Sequence, residues 1–320
     1  MDEATFTELA TRLRRELHVH CYRMLGSFDE AEEVVQEVLL RAWRGRHDFA
    51  ARSSARVWLY RIATNACLDQ IRRRARSTPP SGRSAELPEV AWLQPYPDLL
   101  LDEVATAADP GEIAVERETI ELVFVAALQL LPARQRAVLI LRDLLDWPVD
   151  KIAPVVAASV TAVNSALQRA RATVREKLPH RSEWKRPAGL TDDEKQLLRR
   201  YVAAHERGDI DTVVSLLHAD LQVWMPPDPR ICRTRAAYVE FAFSAPPPGR
   251  WRVRLTSANR QPAAAFYLRR GQDTSFHPVA VQVLRLESGL ITQITAFRQP
   301  NLFPVFGQPA AIAGALESDW

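Results

Sequence analysis

Five acids crowd residues 29–37 of the 320-residue sequence: Asp29, Glu30, Glu32, Glu33 and Glu37. At helical spacing Asp29, Glu32, Glu33 and Gln36 share one exposed face, with Glu37 at its margin. Charge alone makes this either a solvated helix face or a surface for a protein partner. Downstream, Arg72, Arg73, Arg74 and Arg76 cluster at the end of a second helical stretch. Arg61, Asn65, Asp69 and Arg72 stand one or two turns apart along one of its faces. Guanidinium groups neutralise phosphates, and Asn and Asp read base edges. Trp58 and Tyr60 suit stacking on bases, with core packing the alternative for Trp58. A third constellation lies in LPARQRAVLILRDLLDWPVDKIAPVVAASVTAVNSALQRARATVREKL. Ala153, Ala157 and Val163 have the spacing of a helix-turn-helix: a small residue where the helices cross, a compact turn, and a β-branched anchor. Thr161, Asn164, Ser165, Gln168 and Arg169 then remain on the outer side, where they suit base edges. Arg171, Arg175 and Lys177 suit phosphates.

Helices must position all three groups. Residues 6–76 contain no proline, and apolar residues recur at helical spacing in Val34, Val35, Val38, Leu39, Ala42 and Trp43. Ser27 and Asp29 stand where an N-cap belongs, with acids in the following turn. A second helix is expected from Ser54 to Arg74. Helical periodicity returns over 113–178, where Val160, Val163, Leu167, Ala170, Val174 and Leu178 make the expected buried stripe. Pro148 suits a helix start. Pro154 falls inside the first helix of the motif, where proline costs about 3 kcal/mol in a regular helix and puts its geometry in question.

Between Ser77 and Pro110 the composition shifts to six prolines and an acidic balance, an extended linker in which Trp92 and Tyr96 mark a docking segment. A basic joint follows at Pro179–Pro187. Beyond Thr191, helical stretches at Asp192–Arg207 and Ile210–Leu217 precede period-two segments: WRVRLTSA, AAAFYLRR, VAVQVLRL and GLITQITAF. This reads as an α+β domain with an antiparallel sheet.

Net charge is only +3, so no partner follows from charge alone. The hydrophobic share of 47% supports ordinary cores, and no apolar run reaches the length of a membrane span. The start of the chain lacks the basic and apolar regions of a signal peptide. Cys21, Cys67 and Cys232 are far apart, form no CxxC pair, and read as buried thiols of a cytoplasmic protein. No metal site or cofactor motif is legible. His205, His218, His277 and Asp228 are the acid–base candidates of the C-terminal domain, but they form no pair of readable spacing. Trp224, Met225, Phe241, Trp251, Phe266 and Phe297 read as core or pocket wall.

Residues Cys21–Arg76 resemble the sigma-two domain of extracytoplasmic-function (ECF) sigma factors. In that family the stretch matching DEAEEVVQEVLLRAW binds core RNA polymerase, and the stretch matching WLYRIATNACLDQIRRR recognises the minus-ten promoter element. The third constellation is similar to sigma-four, which binds the minus-thirty-five element. The C-terminal domain resembles a SnoaL-like cone around a pocket. The stretches WLQPYPDLLLD and FRQPNLFPVFGQP are similar to the subgroup typified by mycobacterial sigma G.

The resemblance implies a multidomain chain of two all-α domains plus an α+β cone. The expected divisions are sigma-two over 1–76, linker 77–112, sigma-four over 113–180, joint 181–190, SnoaL-like domain 191–310 and tail 311–320. It implies polymerase contact through Asp29, Glu32, Glu33, Gln36 and Glu37. Minus-ten contact falls to Arg61, Asn65, Asp69, Arg72, Arg73 and Arg74, and minus-thirty-five contact to Thr161, Asn164, Ser165, Gln168, Arg169 and Arg171. Expected partners are core RNA polymerase and promoter DNA, with an anti-sigma factor or a small ligand at the C-terminal domain. That domain is expected to regulate without catalysis. Two readings compete: a helix-turn-helix regulator that does not recruit polymerase, which has no use for the acidic face, and an enzyme fused to a DNA-binding arm.

Overall fold

The computed structural model describes residues 1–47, 49, 54–77, 90–105, 120–178, 189–243 and 249–314. Expectations for the early linker, the start of the 113–178 segment, the basic joint and the last residues of the tail fall outside these. By its contacts the chain divides into Met1–Gln94 with Leu100–Lys185, and Pro95–Leu99 with Arg186–Trp320.

The first unit is helical. α1 (Glu3–Leu25) opens on the Asp2 carboxylate, which accepts from the Thr5 amide at 2.8 Å. It closes on Gly26 at φ +74, whose N–H donates to the Tyr22 carbonyl at 2.7 Å. A Cβ there would come within 2.8 Å of the Gln129 side chain, so only glycine fits. α2 (Phe28–Gly45) starts at Ser27, whose hydroxyl caps Glu30 N–H as its position in the sequence predicts. α3 (Ala55–Ser77) extends past the expected end at Arg74. The three helices pack on one another, with Leu17, Cys21, Met24, Val35, Val38, Leu59 and Ala63 buried. α4 spans Asp98–Ala105.

α5 (Leu122–Gln129) is buried along its whole length. α6 (Ala133–Leu139) continues into a π-turn over Ile140–Leu144, then come α7 (Val149–Val155) and α8 (Val160–Lys177). Ala157 takes φ +49 in the α7–α8 turn, Ala153 is buried beneath it, and Val163 is fully buried. Pro154 is exposed and α7 ends one residue later. Only the carbonyl of Asp150 loses its donor, and that residue is exposed to water. Val160 is not part of the buried stripe. It is 48% exposed, because the first helical residue after the Ser159 cap projects before α8 reaches its neighbours.

The second unit is α+β. α9 (Asp192–Arg207) begins with a capping box between Thr191 and Glu194, and α10 (Ile210–Ser215) follows. The strands are β1 (Leu217–Met225), β2 (Asp228–Cys232), β3 (Arg250–Ala258), β4 (Gln261–Arg269), β5 (Ser275–Glu287), β6 (Leu290–Phe297) and β7 (Ile312–Ala313). α11 (Arg235–Phe243) precedes β3, and α12 (Leu302–Val305) follows β6. Sheet order is β2-β1-β6-β5-β4-β3, with β7 on β5. The α+β expectation holds, but the sheet is mixed rather than antiparallel, since β1 and β6 run parallel. Parallel neighbours need a long crossover, and everything from β2 to β5 supplies it.

Pro95–Leu99 lies inside this unit. Tyr96 is fully buried, and its N–H donates to the Asn259 side-chain oxygen at 2.8 Å. The Asn259 N–H returns a bond to the Tyr96 carbonyl at 2.9 Å, and Arg260 N–H reaches Asp98 Oδ1 at 2.8 Å. Asn259 and Arg260 both have positive φ, so the β3–β4 hairpin turn presents these donors and acceptors outward. The tail folds back on its own sheet: Phe303 is fully buried, 5.0 Å from the Tyr267 ring, and the Tyr267 hydroxyl donates to the Pro309 carbonyl at 2.9 Å.

Candidate polymerase and promoter surfaces

α2 turns Val34, Val35, Val38 and Ala42 inward, leaving Glu33, Gln36, Leu40 and Arg44 as its outermost row. Leu40 is 53% exposed there, an apolar side chain beside acids. The other acids are engaged within the unit. Asp29 accepts from Gln94 Nε2 at 2.8 Å while its N–H donates to Gln94 Oε1 at 2.9 Å. Glu30 pairs with Arg74 and Glu32 with Arg14. Glu37 holds Arg41 at 2.7 Å. The ridge open to a partner is thus narrower than the run of acids suggests: Glu33 and Gln36, flanked by paired Glu32 and Glu37.

α3 presents Arg61, Asn65, Arg72, Arg73 and Arg76 to solvent. Asp69 lies among them, half-buried, bonded to Arg72 and to Arg41 at 3.4 Å. The Arg72 bond, with that of Arg41, holds its carboxyl below the ordinary range. Arg73 Nε donates to Gln70 Oε1 at 3.1 Å. Arg74 is different. Its guanidinium pairs with Glu30, donates to the Leu25 carbonyl at 3.3 Å, and lies 4.5 Å above the Trp92 ring. Its bonds run to the C-terminal end of α1 and away from solvent. Tyr60 is buried, edge-on to His20, so stacking on a base is closed to it as the structure stands. Trp58 is half-buried with its ring 5.1 Å from Phe49.

On α8, Thr161, Asn164, Gln168 and Arg169 are exposed and Ser165 half-buried, while Val163, Leu167, Ala170 and Val174 hold the helix down. Arg171 forms a two-pronged pair with Asp143 of the π-turn, at 2.9 and 2.6 Å. Arg175 is exposed nearby.

Sequence reasoning missed Arg136, which reads as a surface base in LPARQR. It is 4% exposed, and its guanidinium donates to the carbonyls of Met24, Gln129 and Leu131 and to the Gln129 side chain. Gln129 Nε2 in turn reaches the Arg23 carbonyl at 3.1 Å. Burial, with Arg74 nearby, pushes its pKa down to about 9, so it stays charged at neutral pH. Helix C-termini collect partial negative charge, and this cation caps those of α1 and α5 together.

Family models match in three places: Sigma-70 region 2 over residues 9–77, Sigma-70, region 4 over 122–174, and a SnoaL-like domain over 198–294. Over 312 residues the chain is 42% identical to the ECF RNA polymerase sigma factor SigG of Mycobacterium tuberculosis, covering 93% of this chain and 82% of that one. The chain belongs to the ECF RNA polymerase sigma factors. SigJ of the same organism is 31% identical over 65% of this chain and 61% of its own. The SigJ crystal structure aligns with a TM-score of 0.61 at 23% identity, covering 95% of this chain and 99% of that one, which shows a shared fold. As an ECF sigma factor the protein serves promoter-specific transcription initiation, and its partners are core RNA polymerase and promoter DNA. In this sigma factor the region 2 match covers most of α1 and all of α2 and α3, and the region 4 match covers most of α5–α8.

Proposed function

We propose that the sigma factor engages core polymerase through α2, with Glu33 and Gln36 at the centre and Asp29, Glu32 and Glu37 shaping the edge. Promoter DNA then meets α3 at the minus-ten element, where Arg61, Asn65, Asp69, Arg72 and Arg73 face it. Arg74 serves that surface by fixing the end of α3. At the minus-thirty-five element Thr161, Asn164, Ser165, Gln168 and Arg169 read bases, and Arg171 swings off Asp143 or holds α8 in place. Working domains follow the divisions 1–76, 113–180 and 191–310, with the C-terminal domain acting by contact or binding rather than catalysis, in the cytoplasm where polymerase works. An anti-sigma factor is a further partner class for that domain.

The observation that carries this reading is the row Arg61, Asn65 and Arg72, solvent-facing on a helix whose opposite side is buried. Its test is binding of holoenzyme to promoters that vary at the minus-ten element. Arg72→Ala with Arg73→Ala should weaken binding to every sequence and reduce the salt slope by about 1 per lost phosphate contact. Asn65→Ala should instead change the ranking of sequences. Full affinity of the double variant at every salt concentration refutes the assignment. For the C-terminal domain, truncation after Pro187 should alter transcription while core binding persists. Equal transcription at all promoters refutes a regulatory role.

A further inference from the structure

The C-terminal unit holds a half-open cavity of about 400 Å³, within the size range of small-molecule sites. Its floor is one face of the sheet, because lining residues alternate along each strand: Phe266 and Leu268 on β4, Ile294 and Ala296 on β6. α9 and α11 close it with His205 and aromatic side chains. The walls are apolar and aromatic except at His205, Gln282, Arg270 and Arg298, and among the described residues no Asp or Glu lines them.

Each of these polar groups has a defined hydrogen-bonding valence. His205 Nδ1 lies 2.9 Å from the Tyr201 carbonyl, which can only accept, so Nδ1 carries the proton and Nε2 presents a lone pair. Burial pushes the ring down to about 4, so it is uncharged at neutral pH. Gln282 Oε1 accepts from the Tyr201 hydroxyl at 2.8 Å, which leaves its NH2 group as a donor. Arg270 and Arg298 directly follow β4 and β6. Both strands run antiparallel to β5, so their C-terminal ends lie at the same end of the sheet. Both arginines are exposed, and neither has an ion-pair partner among the described residues. The Asp273 carboxylate accepts from the Arg270 backbone N–H at 3.4 Å, so the cavity has an apolar interior and an end of net positive charge, two cations to one anion.

We infer that this cavity binds a small apolar organic acid, with its hydrocarbon body against Phe266, Leu268, Ile294 and Ala296 and its carboxylate at the Arg270–Arg298 end. An acid suits the site because two guanidinium groups outweigh the single Asp273 carboxylate beside Arg270, so this end attracts an anion and repels an amine. The walls supply the apolar burial that anchors such a molecule. Catalysis is not part of the inference, since His205 has no carboxylate beside it in the cavity to act with. The regulatory meaning of binding rests on the role proposed above for the C-terminal domain.

The test uses the purified full-length chain and three probes with one body: 4-biphenylcarboxylate, 4-biphenylcarboxamide and 4-biphenylmethylamine. Quenching of Trp251, a wall residue, reports binding, with calorimetry as the check. The carboxylate should bind about tenfold more tightly than the amide, as a charge-assisted contact does over a neutral one, and the amine weakest. Arg270→Gln with Arg298→Gln should erase the advantage of the acid and leave amide binding unchanged. Ala296→Phe, which fills the cavity, should abolish binding of all three, with an unchanged unfolding profile showing that the domain is intact. An amide or amine that binds as well as the acid overturns the inference. So does an advantage of the acid over the amide that survives the arginine replacements, acid binding that survives Ala296→Phe, or no binding of any probe at millimolar concentration. These assays read binding and not transcription, so their failure leaves the truncation test of regulation untouched, and the reverse.

Discussion

Replacing Arg136 should destabilise the helical unit more than any surface arginine does. The side chain satisfies three backbone carbonyls and one carboxamide oxygen in a site closed to water. Arg136→Met keeps the length and apolar stem but removes every donor. Four buried acceptors then lose this partner, each worth about 1–3 kcal/mol when left unpaired, although carbonyls keep other bonds and the desolvation cost of the cation disappears. A net loss of about 3–5 kcal/mol is expected, as when a buried charge network is broken by removing one member. Arg136→Lys retains the charge but cannot fork across α1 and α5, so it should lose an intermediate amount. Urea unfolding followed by hydrogen exchange at residues 20–26 and 122–131 separates this unit from the other. A Met variant within about 0.5 kcal/mol of the natural protein, the range of an ordinary surface change, would refute the capping role.

Three other outcomes follow from the geometry. Ala157→Gly should stabilise the helix-turn-helix by about 1 kcal/mol, because φ +49 is strained for any residue with a Cβ; an unchanged or lower melting temperature contradicts this. His18 and His20 are buried, and burial, with Arg15 and Arg14 near the first and Arg23 near the second, lowers both to about 3. Both are neutral when folded and protonate on unfolding, so stability is present above pH 6.5 and falls as pH drops toward 3, at up to about 2.7 kcal/mol per pH unit for the pair. Replacing both with Gln should flatten that slope in pH-dependent urea melts. Asn259→Ala removes the acceptor for Tyr96 N–H and should cost about 1–3 kcal/mol in the C-terminal unit, with proteolysis newly entering 95–99 as the readout.

Periodicity made much of this architecture legible. The inward residues of α2 and α8 and the alternation in β3–β6 each follow from one face meeting a core, which a single stretch of sequence records. Pairings between distant residues leave no such trace. Asp29, Arg74 and Arg171 look like free surface charges because Gln94, Glu30 and Asp143 lie elsewhere in the sequence. The docking of Tyr96 was foreshadowed by an aromatic residue amid prolines, but its acceptor lies 163 residues away in a hairpin turn. Buried Arg136 was invisible for the reverse reason: its composition is that of a solvated helix start, and only the convergence of two helix ends makes a cation welcome inside. β1 loses clean alternation at its end, where Val223, Trp224 and Met225 are all buried beside a register shift, and its parallel neighbour β6 is remote in sequence.

The shared cap at Arg136 has a mechanical consequence. α3 packs on α7 and α7 on α8, so two interhelical steps of 8–10 Å separate the proposed promoter-reading helices by about 20 Å. Minus-ten and minus-thirty-five elements lie roughly 25 base pairs apart, which at 3.4 Å per step is about 85 Å of duplex. The proposed contacts with both elements at once therefore require α3 and α8 to separate, and Arg136, which ties the end of α1 to the end of α5, is one of the bonds that would resist it. Each 1.4 kcal/mol by which such bonds favour the closed arrangement would lower the separated fraction, and with it the apparent affinity for a promoter, tenfold. Loosening this tie by Arg136→Met is thus expected to give a less stable helical unit that engages both promoter elements more readily, which promoter-binding assays would read beside the unfolding measurement.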